Sequence, residues 1–310
     1  MKILARFRFE EMVFLIFFSL ILFLSISEGE IFLHLYGDRF THAFSLVLMI
    51  VITIKLHFAM YSMEKLDWRQ LGDSLQPVLR GSRDFLSLYM CLAMYSSMEP
   101  ILALRPLADQ WLIKADRFIF GTDPGLLLES WITPNVTKGM VFAYLALFFY
   151  LPLVFFTLLA RERQKDLRIF VARLSLSLFL GYLGYFLVPA VGPMYSIPQV
   201  FTKSLWSNDQ TVASRQVLEI LVDLNRLPRD CFPSMHACLA VIPLLTAFTT
   251  MPLLFLFLLP GVILLLISTV YLRYHYAVDT MAGVLLAIFC FWAGPRLAAR
   301  WNRLAGRDES

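Results

Sequence analysis

Apolar residues in this chain fall in long runs separated by short polar stretches. The runs approach the ~20 residues that an α-helix needs to cross a bilayer. They predict eight membrane segments, at 12–27, 43–61, 85–104, 139–160, 169–189, 234–250, 253–271 and 280–295. The first is short and follows the basic residues Lys2, Arg6 and Arg8, as in a signal peptide. Ser25–Ser27 is a poor cleavage site, so an uncleaved anchor is expected. Two polar segments carry a different pattern. Residues 105–124 place Leu107, Trp111, Ala115, Phe118 and Ile119 at helical spacing with charges opposite, as a helix lying along the headgroups does. Packing of that apolar face on the bundle would read the same way. Residues 214–225 repeat the pattern and are a candidate lid. The expected fold class is all-α, a polytopic membrane helix bundle of about eight transmembrane helices.

Composition narrows this reading. The chain is 59% hydrophobic and 16% charged, against roughly 25% charged in soluble domains. No basic run with interleaved aromatics points to nucleic acid. Four cysteines show no metal-ligand spacing, and three of them (Cys91, Cys238, Cys290) fall in apolar segments as small fillers. Lys and Arg set the orientation. With the N-terminus inside, 15 Lys/Arg lie on short inner segments, the clearest being R-E-R-Q-K-D-L-R at 161–168, and only 10 on the longer outer ones. Both termini are then cytoplasmic. The expected location is an integral membrane protein, in a bacterial inner membrane with the site facing the periplasm, or facing the Golgi lumen if eukaryotic. Arginine outnumbers lysine 20 to 7, which suits the bacterial case.

Polar chemistry concentrates in two places. C-F-P-S-M-H (Cys231–His236) precedes one apolar segment, and Y-L-R-Y-H-Y-A-V-D (Tyr271–Asp279) links two others. The topology puts both on the outer face. A titratable group beside a lipid-facing helix is costly and usually functional. His275 and Asp279 are four residues apart, so in a helix their side chains meet. A carboxylate on one imidazole nitrogen leaves the other free to attack, as an activated nucleophile requires. His236 follows Pro233 at a helix start, where free amides suit a phosphate, and it is placed to act as acid and base. His236, His275 and Asp279 are also competent metal ligands, but they form an incomplete set, so no metal or other cofactor is expected.

F-P-S-M-H (232–236) and S-T-V-Y-L-R-Y-H-Y-A-V-D (268–279) resemble the two histidine motifs of the type 2 phosphatidic acid phosphatase superfamily, most closely its inositol phosphorylceramide synthase-like branch. D-R-F-I-F-G-T-D-P (116–124) and the 181–193 run are similar to that branch's upstream blocks. The resemblance implies a phosphohistidine on His275, oriented by Asp279, with His236 as acid/base. It implies a metal-free six-helix core, which residues 85–295 supply, with 1–84 as an N-terminal addition of two helices and a linker and 296–310 as a basic tail. Two cations of the lipid phosphatases are missing. Met98 stands at their lysine position and Thr269 follows Ser268 where they have arginine, although Arg105–Pro106 is present. Arg273, Arg105, Arg229 and Lys114 are candidate replacements, and Ser234 and Tyr271 complete the candidate phosphate-binding set. Fewer cations suit a singly charged phosphodiester better than a dianionic monoester. The leading expectation is a membrane phosphotransferase. It moves an inositol phosphate-like headgroup from a phospholipid donor to a lipid hydroxyl acceptor such as a sphingolipid precursor. A phosphatase or phosphodiesterase using water is the alternative, and an eight-helix transporter or scaffold the remote one. Nothing in the sequence specifies an oligomeric state.

Overall fold

The computed structural model describes residues 7–27, 81–92, 94–95, 98–205 and 229–306. These residues are mostly helical, with one isolated backbone bridge, Ala190 to Asp230, and no strand among them. The long helices are α1 (Phe9–Ser27), α2 (81–92), α3 (Asp109–Phe120), α4 (Pro134–Leu145), α5 (Leu147–Ala160), α6 (Gln164–Leu187), α7 (Met235–Thr250), α8 (Pro252–Tyr271) and α9 (Ala277–Leu304). Among the described residues, four stretches are long and apolar enough to cross a membrane: Pro134–Ala160, α6, α8 and α9. The molecule is an all-α polytopic membrane bundle.

α7 sits at the centre, packed against α5, α6, α8 and α9. It is apolar on every side and mostly buried, as a helix enclosed by others must be. In lipid, tails are as apolar as the core, so association depends on close packing of small residues. α9 meets this need with Gly283, Ala287, Cys290 and Gly294, buried along one face at helical spacing. At Gly283 a methyl group would come within 2.2 Å of the Ser234 carbonyl, so α9 rests directly on the start of α7. The opposite faces of α8 and α9 expose Leu253, Phe257, Leu285 and Trp292, the surface a bilayer covers.

Several predicted segments differ in detail. The 85–104 stretch is not one helix: α2 ends at residue 92, Met94 and Tyr95 turn, and a short helix runs Glu99–Ala103. Pro100 sits in the first turn of that short helix, where a missing N–H costs nothing. The 139–160 span begins at Pro134, capped by Thr133, and is jointed at Ala146. α9 continues past 295 to Leu304. The 43–61 segment and the 214–225 candidate lid lie outside the described residues.

The expected inner segments gather at one end of the bundle. There the Trp301 Nε1–H donates to the Phe7 carbonyl at 2.7 Å, Arg8 pairs with Asp84, and Arg163 donates to the Thr250 carbonyl. His236 and His275 lie at the other end, beside the first turns of α7 and α9.

Candidate active site

Two loops build the site. Ser234 caps α7, its Oγ accepting the Ala237 N–H at 3.3 Å, so His236 occupies the first helical turn. α8 ends at Tyr271 and a tight turn follows, with Arg273 at φ +63°. Its reversal is held by His275 N–H donating to the Thr269 carbonyl at 3.1 Å. Tyr276 then caps α9, and Asp279 accepts the Tyr276 N–H at 3.0 Å in a capping box. The loops are tied directly, since the Ser234 N–H donates to the Asp279 carbonyl at 3.1 Å.

The structure brings His275 and Asp279 together, with Nδ1 3.1 Å from Oδ1. The pairing differs from the expected one-helix spacing, because His275 stands in the turn before α9 and only Asp279 is helical. Both are buried, Asp279 completely. The His236 ring centroid is 5.6 Å from that of His275, and His236 stacks on Tyr144 at 4.1 Å. Tyr144 Oη lies 3.3 Å from His236 Nδ1. Both histidines line a cavity of about 100 Å³ walled by leucines of α5, α6 and α7 and by Tyr95, Tyr182 and Tyr185. Asp230 also lines it and accepts a hydrogen bond from Tyr95 Oη.

The candidate phosphate-binding residues divide. Ser234 lies at the site as the α7 cap. The Arg273 guanidinium points instead to Glu129, at 3.1 Å, donates to the Lys203 carbonyl, and lies 4.0 Å over the Phe201 ring. Arg229 donates to the carbonyls of Leu102, Ala103 and Arg105, satisfying the end of the short Glu99–Ala103 helix. Tyr271 Oη is 2.8 Å from Thr137 Oγ1 in a buried pair. None of Ser234, Arg105, Arg229, Tyr271 and Arg273 lines the cavity.

Support comes from residues that the sequence did not single out. α3 turns two carboxylates inward. Asp109 accepts the Val191 and Gly192 N–H groups at 3.0–3.2 Å and the Tyr276 hydroxyl at 2.8 Å. Asp116 accepts the Ala277 and Val278 N–H groups at 3.0 and 2.8 Å. Burial pushes the Asp116 carboxyl up to about 6, although those two amides favour its charged form. Gly192 has φ +86°, and a side chain there would strike the Tyr274 carbonyl at 2.2 Å, so only glycine fits. The seven-residue spacing of Asp109 and Asp116, two helical turns, was visible in the sequence. Their inward facing was not.

Cys231, His275 and Asp279 offer ligand atoms within 4.8 Å of one another. Their closest pair, Cys231 Sγ and Asp279 Oδ2, is 2.7 Å apart, with the thiol donating. Two ligands of a tetrahedral zinc would sit about 3.5 Å apart. Burial, with the Asp279 carboxylate beside it, pushes the Cys231 thiol well above its ordinary range, so it keeps its proton. The trio as it stands is a hydrogen-bonded cluster.

Fold and site together describe a membrane-embedded helical bundle with two histidines on one cavity wall. The family model described as the PAP2 superfamily matches residues 110–293, more than half of the chain, and the chain belongs to that superfamily. Comparison with curated proteins and with solved structures finds no match. The protein is therefore a lipid enzyme of the phosphatase/phosphotransferase type.

Proposed function

We propose that this protein is a membrane lipid phosphotransferase that carries a phospho-headgroup from a phospholipid to a lipid hydroxyl through a phosphohistidine on His275. The carrying observation is the pair of histidines on the wall of an apolar cavity framed by membrane helices. In the first half-reaction, His275 Nε2 attacks phosphorus while Nδ1 keeps its proton toward Asp279. The P–N bond forms as the P–O bond to diacylglycerol breaks, and His236 supplies the proton to the leaving oxygen. In the second, His236 takes the proton of the acceptor hydroxyl, whose oxygen displaces His275 from phosphorus. Two features favour transfer of a diester phosphate over hydrolysis of a monoester. The cavity wall is mainly leucine and aromatic, which keeps water from the intermediate. Arg273 and Arg229 are engaged with Glu129 and with helix carbonyls, which leaves less positive charge for a dianion. The inositol phosphate-like headgroup rests on the family resemblance alone.

The test supplies the purified protein with headgroup-labelled phospholipid, with and without ceramide or diacylglycerol. Labelled lipid product that depends on acceptor is expected, unchanged by EDTA, and reduced by about a thousandfold or more in His275→Ala and Asp279→Ala at normal membrane accumulation. Release of water-soluble phosphate ester regardless of acceptor would make it a hydrolase. Undiminished turnover in His275→Ala would remove His275 from the mechanism.

A further inference from the structure

Asp279 is a buried carboxylate that must orient His275 without taking its proton. One oxygen, Oδ1, faces His275 Nδ1 at 3.1 Å. The other, Oδ2, accepts two donors: the Tyr276 N–H at 3.0 Å and the Cys231 thiol at 2.7 Å. Cys231 comes from the opposite loop, 48 residues earlier, and its own backbone is fixed by donation to the Ala190 carbonyl at 3.1 Å. It is 1% exposed, and Sγ also lies 3.8 Å from His275 Nδ1. A cysteine in this place is therefore neither filler nor nucleophile.

We infer that Cys231 is a positioning residue of the catalytic pair, its thiol donating to Asp279 Oδ2 so that Oδ1 alone serves His275. This rests on the proposed role of His275. The physical consequence is electronic as well as geometric. A donor on Oδ2 draws charge from the carboxylate and lowers its affinity for the Nδ1 proton. The imidazole then stays in the tautomer that leaves Nε2 free. Without that donor the carboxylate bears more charge toward His275 and holds the imidazolium more strongly. The acid limb of the rate profile then moves to higher pH. Titratable groups facing this cluster from the surrounding elements are His236, Asp116 and Asp109 from α3, Asp230 beside Cys231, Tyr185 from α6 and Tyr276 at the start of α9. All of them are present in both the Ser and the Ala variant at 231, so a shift of that limb in Ala alone reports on the lost donor.

The experiment compares wild type with Cys231→Ser and Cys231→Ala in the full-length protein. Cys231→Ser, which keeps a donor, is expected to retain at least about half of kcat with an unmoved pH profile. Cys231→Ala is expected to lose about tenfold in kcat, the scale of one buried hydrogen bond, with KM little changed and the acid limb shifted upward. Equal losses in both variants, or an Ala variant with wild-type kcat and profile, would overturn the inference. The infrared S–H stretching band of resting protein provides a readout independent of turnover and of the alanine variant's folding. The band missing in the Cys231→Ser difference spectrum should be that of a strongly hydrogen-bonded thiol and should move in Asp279→Asn. A band at the position of a free thiol, or one indifferent to Asp279→Asn, would sink the thiol–carboxylate bond itself. A normal band together with an active His275→Ala would instead locate the failure in the proposed nucleophile.

Discussion

At the scale of single residues, closeness in sequence to the histidines does not bring a charge to their cavity. Arg273 is two residues from His275 in sequence, yet its charge is consumed by Glu129. Glu129 is held below its ordinary value of 4.5: burial alone would raise it, but donors from Thr202 and Lys203 and the charge of Arg273 outweigh that. A depressed carboxyl contributes stability that is present above its unfolded value and lost as pH falls through the folded one. Wild type should therefore lose thermal stability below about pH 4.5, measured by unfolding in detergent. Glu129→Gln should cost about 3 kcal/mol at neutral pH, because it strands a nearly buried guanidinium, and should flatten that acid-side loss. A neutral-pH melting point equal to wild type would mean the pair contributes nothing. The partnership was invisible in the sequence, since Glu129 and Arg273 stand 144 residues apart. The paired histidines were legible because their neighbours, a proline–serine cap and a carboxylate four residues on, carry local meaning.

At the scale of elements, hydropathy located α6, α7, α8 and the start of α9 to within a few residues. It failed where a turn at Met94 and Tyr95 interrupts an apolar run, and where polar residues continue a helix, as Arg296 and Arg300 do in α9. α3 is the instructive element. The pattern of 105–124 left two placements open, along the headgroups or packed on the bundle. Trp111, Phe118 and Ile119 are 59%, 90% and 53% exposed, whereas Asp109 and Asp116 are buried. The helix buries Leu112 and Ile113 together with two carboxylates that collect backbone amides, and still presents Trp111, Phe118 and Ile119 outward beside Lys114 and Arg117. That is the surface a helix at a lipid headgroup layer presents. In vesicles, a variant retaining only Trp111 should be quenched by lipids brominated near the headgroup more strongly than by lipids brominated at the chain end. Equal access to an aqueous quencher in vesicles and in denaturant would place α3 away from the membrane.

At the scale of the whole molecule, the charge bias and the contacts agree on which parts share an end. Trp301 meets the chain near Phe7, and Arg163 meets Thr250, so the segments expected in the cytoplasm are neighbours. Which end faces which compartment is a separate matter. All four cysteines are buried, which gives a quiet background for labelling. A cysteine at exposed Lys165 should resist an impermeant reagent on intact cells and react after lysis, and one at exposed Lys114 should react without lysis. The reverse pattern would invert the topology.

α3 has a consequence beyond its architecture. One of its faces grips the peptide groups from which α9 and the Gly192 turn begin, and those turns hold Asp279 in register. With its other face seated in the lipid boundary, α3 would work as a lever whose fulcrum is the membrane surface. A tilt of α3 would therefore be felt where α9 begins, at the peptide groups of Ala277 and Val278.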